Sequence, residues 1–201
     1  MTADAIATPA GTGGVLGAIL AGGQSRRFGS DKAAAPYGET TLIDHVARLL
    51  APQVKALVVT GGAARPGLEV VADRPAPDLG PLGGLNAALH AALARGLPWV
   101  VMVPCDAATF PADLVTRLSA GLGDAPAALA RTATRGHPTL SLWSSALAPR
   151  LDAFIADART PRDRSVRRWA DSIGGVTVEF ADGAIANVNT PADLSGLEPP
   201  R

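Results

Sequence analysis

The segment Leu20-Ala-Gly-Gly-Gln-Ser-Arg-Arg-Phe-Gly-Ser-Asp-Lys32 gathers bare glycines and cationic side chains in one short stretch. Gly22 and Gly23 lack the Cβ that would keep a ligand off the backbone. Their amides, with those of the following turn, can bind phosphate oxygens. Arg27 and Lys32 add positive charge to the same loop. The spacing is neither a Walker A loop nor the spaced dinucleotide fingerprint. Glycines alone would fit a plain strand-to-helix connection equally well. Arg27, Asp31 and Lys32 tip the reading towards a phosphate loop.

Two acids stand directly behind apolar runs. Asp73 follows Val70-Val71, and Asp106 follows the run 99–103. A carboxylate in such a place suits a hard cation such as Mg²⁺, which takes oxygen ligands. Either acid alone could also be a turn or capping residue. Near the end, Asn187-Val-Asn-Thr-Pro191 offers neutral oxygens for a metal or amides for a substrate through Asn187 and Asn189. An Asx turn leading into a helix is the alternative there.

These residues must be held by a scaffold, and the hydrophobic pattern supplies one. Strands are expected at 15–20, 56–59, 68–71, 99–103, 127–131, 138–143 and 176–180. Helical spacing marks 41–50, 85–95, 111–118, 144–156 and 163–172, with Pro111 in the first turn of its helix and His137 in a turn. A short acidic helix should follow Pro191. Alternating strands and helices predict an α/β fold: a mostly parallel sheet covered on both faces. In such sheets, ligands bind at the carboxyl ends of the strands. All four candidate segments fall at that edge.

Composition narrows the function further. The chain has 201 residues, no formal net charge, 4% aromatics and one cysteine, Cys105. Length favours one domain over residues 15–201, after a flexible lead-in at residues 1–14. Balanced charge argues against a general nucleic-acid or anionic-membrane binder. Few aromatics argue against a base-stacking platform. A single cysteine excludes an intrachain disulfide and a Cys-rich zinc site. No apolar run is long enough to cross a bilayer, and residues 1–14 do not resemble a signal peptide. A cytoplasmic protein is expected.

The pattern Leu20-Ala-Gly-Gly-x-Ser-x-Arg-Phe-Gly-x-Asp-Lys32 closely resembles the signature of molybdenum cofactor guanylyltransferases, with Phe28 where Met is usual. Gly80-Pro-Leu-Gly-Gly-Leu85 resembles their Gly-Pro-Leu-Ala-Gly segment, with Gly83 in place of Ala. Pro104-Cys-Asp106, His137-Pro138 and Asn187-Val-Asn-Thr-Pro191 follow in the family's order. The likeness runs from about residue 15 to 194. It implies a three-layer α/β/α, Rossmann-like nucleotidyltransferase with a mostly parallel central sheet. It also implies transfer of GMP from GTP to molybdopterin-bound molybdenum cofactor, with release of pyrophosphate.

Carried over by position, Leu20, Ala21, Gly22 and Gly23 would meet the nucleotide, Lys32 its phosphates, Asp73 the nucleotide and Asp106 the Mg²⁺. Lys32, Arg27 and Asp106 would form the catalytic set. Where the family usually carries an Asn contact, this chain reads Thr60-Gly61. Gly22 favours guanine, since related cytidylyltransferases tend to read Leu-Ala-Ala-Gly. Transient contact with cofactor-synthesis or acceptor enzymes would follow. The alternatives are CTP or a sugar-phosphate acceptor in the same reaction class, and a non-catalytic cofactor carrier.

The remaining polar residues read as follows. The acceptor phosphate is already ionised near neutral pH, so no general base is needed. That fits the lack of a His or Cys dyad. His45 and His90 lie on expected helices as structural residues, and Cys105 as a small turn residue. His137 faces the molybdopterin or makes a turn. Arg159, Arg162, Arg164, Arg167 and Arg168 form a solvated helix face or meet an anionic partner.

Overall fold

A computed structural model describes residues 14–22, 32–63, 66–188 and 193. Gly23, Arg27, Asn189, the lead-in up to residue 13 and the helix expected after Pro191 lie outside the described residues.

The described chain runs β1 (Val15–Leu20), β2 (Pro36–Tyr37), β3 (Thr40–Thr41), α1 (Leu42–Leu50), β4 (Ala56–Thr60), β5 (Glu69–Val71) and α2 (Pro81–Ala94). Then come β6 (Trp99–Pro104), β7 (Ala107–Thr109), α3 (Leu114–Ala120), β8 (Ala127–Arg131) and β9 (Gly136–Ser144). The last elements are α4 (Ala148–Asp157), α5 (Val166–Ile173), β10 (Val176–Glu179) and β11 (Ala186–Asn187). Seven strands form one sheet in the order β10-β8-β9-β6-β1-β4-β5. Only β9 runs against its neighbours.

Strand β1 sits near the centre of this sheet and is buried along its whole length. Its two sides feed two apolar layers, because successive side chains of a strand point to opposite faces. Val15 and Ile19 pack with Ile43, Val46, Leu50, Leu114 and Leu118 of α1 and α3. Leu16, Ala18 and Leu20 pack with Leu82, Leu85, Leu89, Leu151 and Trp169 of α2, α4 and α5. Each large side chain withdrawn from water stabilises the fold by about 1.5–3 kcal/mol. The result is the expected α/β/α sandwich. No helix among the described residues is long and apolar enough to cross a membrane.

Several boundaries differ from those expected, each for a local reason. Helix α2 starts at Pro81 rather than 85. Gly83 and Gly84 weaken helix propensity, but they let the helix touch the sheet. A Cβ on Gly84 would lie 2.6 Å from Thr60 Oγ1 and 2.7 Å from Leu20 Cδ2. Helix α3 starts at Leu114, not 111. The carbonyl of Pro111 instead accepts from the Gln53 side chain at 3.2 Å and from Leu114 N at 3.0 Å. The Gln53 side-chain oxygen, Oε1, then accepts from Val115 N at 3.1 Å, satisfying a helix-start donor.

Helix α4 follows a short 3-10 turn at Ser145–Leu147. Helix α5 starts at Val166 because Asp163 closes a turn on Thr160 and Ser165 caps the helix through Arg168 N. His137 is not in a turn. The turn is closed earlier, by Thr132 N donating to Arg135 O at 2.8 Å, and His137 lies inside β9. The β8–β9 pairing skips between Leu129 and Ala130, leaving Pro138 at the irregularity. That is where a strand tolerates proline.

Candidate active site

Three strand ends build the site. The chain leaves β1 at Leu20, β4 at Thr60 and β6 at Pro104, all at the carboxyl edge of the sheet. Backbone bonds lock these exits together. Ala21 N donates to Thr60 O at 2.9 Å, Cys105 N to Leu20 O at 3.0 Å, and Gly61 N to Val71 O at 3.3 Å.

Asp106 stands in the turn after β6. Lys32 Nζ donates to its Oδ2 at 2.7 Å. Asn187 Nδ2 donates to its Oδ1 at 3.2 Å. The ion pair keeps partial access to solvent, with Lys32 14% and Asp106 23% exposed. Two residues far apart in sequence therefore converge on one carboxylate. Asn187 arrives through an element the hydrophobic pattern did not reveal. Strand β11 pairs antiparallel with β7, matching Asn187 to Ala107. The Asp106 carbonyl, accepting from Ala108 N and Val188 N at 2.9 Å each, ties that ribbon down. Elements of two or three residues are too short to show a period.

Asp73 forms a second corner, against the glycines. A Cβ on Gly22 would lie 3.7 Å from Asp73 Oδ2, and one on Gly83 would lie 3.4 Å from it. Asp73 Oδ1 is buried and has no hydrogen-bond partner among the described residues. Burial pushes the Asp73 carboxyl above the usual carboxylate range, and the nearby charge of Asp78 adds to the rise. A buried acceptor without a donor is costly, so this carboxyl is suited to a ligand's N–H or O–H. At Thr60-Gly61 the backbone itself comes close. Gly61 has φ +67°, and a Cβ there would lie 2.8 Å from Gly22 Cα. An asparagine at position 61 would not fit this packing.

Leu20, Ala21, Gly22, Lys32, Asp73, Asp106 and Asn187 thus share one edge. His137 stands apart, buried in the β8–β9 hairpin, where its Nε2 accepts from Arg135 Nε at 3.5 Å. His45 is a core residue, its Nε2 2.8 Å from the Ala108 carbonyl and its ring beside Tyr37. His90 reaches Asp152 Oδ2 at 2.9 Å on the helical face. Cys105 is buried. The arginine run divides: Arg168 pairs with Asp163 at 3.0 Å, whereas Arg167 faces a cavity beside β8. Among the described residues, no three His, Cys, Asp or Glu side chains cluster as a metal-binding group. A cation at Asp106 would draw its other ligands from water and phosphate, as Mg²⁺ commonly does.

A Rossmann-like sheet whose edge joins a glycine corner to a lysine–aspartate pair defines a nucleotidyltransferase. A family model described as the MobA-like NTP transferase domain matches residues 17–173. The molybdenum cofactor guanylyltransferase of Rhizobium leguminosarum bv. trifolii is 37% identical over 194 residues, covering 92% of this chain and 91% of the relative. The chain belongs to this family of molybdenum cofactor guanylyltransferases. Molybdopterin-guanine dinucleotide biosynthesis protein A of Archaeoglobus fulgidus superposes with a TM-score of 0.68 at 20% identity, covering 91% and 96% of the two chains. A structure from Mycobacterium tuberculosis H37Rv in complex with manganese gives a TM-score of 0.63 at 21% identity, covering 92% and 97%.

Proposed function

We propose that this protein transfers GMP from GTP to molybdopterin-bound molybdenum cofactor, releasing pyrophosphate. The observation that carries the reading is the Lys32–Asp106 pair, 2.7 Å apart at the edge where the glycine corner opens. Both substrates are anionic, so the protein's main tasks are charge neutralisation and alignment. An oxygen of the acceptor's terminal phosphate attacks the α-phosphorus of GTP. The new P–O bond forms as the bond to the β-phosphate breaks, and pyrophosphate leaves with the electron pair. No proton needs removing from the nucleophile.

Lys32 clamps the triphosphate, and Arg27 is assigned to the same clamp. Leu20, Ala21 and Gly22 line the nucleotide's path, Gly23 is assigned to the same contact, and Asp73 accepts from the nucleotide's donors. Asp106 is the residue assigned to hold Mg²⁺, with Asn187 orienting its carboxylate. Bound there, the cation would offset charge on the phosphate oxygens. The donor set fits: one hard carboxylate, held by a lysine and an amide, with its side chain still 23% exposed. Asn189 is assigned to the acceptor side with Asn187. We assign the reaction to the cytoplasm, as the lone cysteine and the need for GTP suggest, with hand-over to cofactor-using enzymes by transient contact.

The test is incubation with GTP, Mg²⁺ and molybdopterin, monitoring pyrophosphate and the dinucleotide product, with CTP in parallel. Product from GTP in clear excess over CTP is the expected result. No pyrophosphate from either nucleotide would remove the assignment.

A further inference from the structure

Asp152 of α4 grips two successive turns of α2. Asn86 Nδ2 donates to its Oδ1 at 2.7 Å, and His90 Nε2 lies 2.9 Å from its Oδ2. Positions 86 and 90 are four apart, so they stack on one face of the helix. Asn86 is the one polar side chain among the buried residues of α2, where its neighbours are Leu, Ala and Gly. Its Oδ1 is buried and has no hydrogen-bond partner among the described residues. An amide half satisfied in an apolar layer costs stability that an apolar side chain would not. Its effect is on register, because sliding or turning α2 against α4 strains both contacts to Asp152 at once.

The first turn of the same helix is a wall of the site. A Cβ on Gly83 would lie 3.4 Å from Asp73 Oδ2, and one on Gly84 would lie 2.6 Å from Thr60 Oγ1. Arg74 N donates to the Gly83 carbonyl at 3.1 Å, so the segment carrying Asp73 is fastened to that turn. The Arg74 charge also acts on Asp152. The placement of α2 therefore decides where the Asp73 carboxyl stands, and Asp73 Oδ1 is the buried acceptor left without a donor. The Lys32–Asp106 pair is braced by Asn187, not by α2.

We propose that Asp152 is a positioning residue for nucleotide binding: by holding Asn86 and His90 it sets how closely the first turn of α2 approaches the glycine corner, and so where Asp73 meets the nucleotide. Asp152 touches no substrate itself. The identity of the nucleotide as GTP rests on the guanylyltransferase reading above.

The test is GTP titration and steady-state pyrophosphate release with Asp152→Ala, well below its melting temperature. The Kd and KM for GTP should rise by about fivefold, the scale of one misplaced hydrogen bond. The kcat should stay within about twofold, as expected when ground-state and transition-state binding weaken alike. Asn86→Leu/His90→Leu, which cuts the same contacts from the α2 side, should show the same rise. Asp152→Asn keeps an oxygen for Asn86 and offers an N–H to His90, so it should recover most of the affinity. Ser165→Ala removes the cap of α5, a comparable loss of stability away from α2, and should leave the KM for GTP unchanged. Unchanged GTP affinity in either of the first two variants would overturn the proposal. So would a fall in kcat at constant KM, or an equal rise in KM with Ser165→Ala. A wild-type protein that binds GTP but releases no pyrophosphate would remove the guanylyltransferase reading, while the titrations would still decide the role of Asp152.

Discussion

Gly61 and Gly22 meet backbone to backbone across the ends of β4 and β1, at a distance that leaves no space for a side chain on Gly61. A Cβ there would fall 2.8 Å from Gly22 Cα and 2.9 Å from Gly22 N, at a φ of +67°. Gly61→Ala should therefore lose about 2–4 kcal/mol, combining a left-handed backbone cost with overpacking against main chain. Denaturant melts check the stability, and the KM for GTP should rise with it. Gly22→Ala is the contrast, since its Cβ would meet Gly61 Cα at an ordinary 3.4 Å. Its midpoint should stay near that of wild type while the ratio of GTP to CTP use falls.

Asp106→Ala should lower kcat by about 100-fold or more, the scale of losing an electrostatic contact to the transition state. Asn187→Ala should cost less, because Lys32 still holds Oδ2 when the amide on Oδ1 is gone. Initial rates of pyrophosphate release order the two variants. A carrier without catalysis would show no turnover to lose.

Asp73 has a carboxyl raised by burial and by Asp78. A carboxyl raised in the folded state penalises folding wherever it is ionised, and the penalty disappears once both states are protonated. Asp73→Asn should consequently raise the melting temperature at pH 7. The gain should shrink as pH falls through the raised folded pKa and towards the ordinary aspartate range. The same variant should bind GTP more weakly. A variant less stable than wild type at neutral pH would contradict the burial account.

Asp152 behaves in the opposite sense. Its desolvation is outweighed by hydrogen bonds from Asn86 at 2.7 Å and His90 at 2.9 Å, so its carboxyl lies below the usual range. A depressed pKa gives stability that is present above the unfolded value, near 3.8, and lost as pH falls through the folded one. Asp152→Ala should destabilise the α2–α4 contact by about 1–3 kcal/mol at pH 7, a cost that includes stranding buried Asn86. Thermal melts at neutral pH and near pH 3 should show the difference narrowing in acid.

Much of this site was legible because apolar strands and the acids behind them are local signals. Lys32, Asp73 and Asp106 could be placed at the sheet edge from position alone. The start of α2 was not legible, because Gly83 and Gly84 weaken a helix locally and are required only by tertiary contacts, Gly83 with Leu79 and Asp73 and Gly84 with Thr60 and Leu20. The start of α3 depends on Gln53, whose amide is distant in sequence. The β7–β11 ribbon is too short for periodicity, so Asn187 could be suspected but not joined to Asp106. Asn86 and Asp152 belong to different helices, and only folding brings them together.

The ribbon that delivers Asn187 has a bearing on how the enzyme is born. Asp106 is synthesised 81 residues before the amide that braces it. A nascent chain halted ahead of β11 could assemble the whole central sheet and the lysine contact, yet present an unbraced carboxylate. The fully braced carboxylate, and with it full turnover, would then arrive only once β11 has left the ribosome, after the nucleotide-facing half has had time to fold.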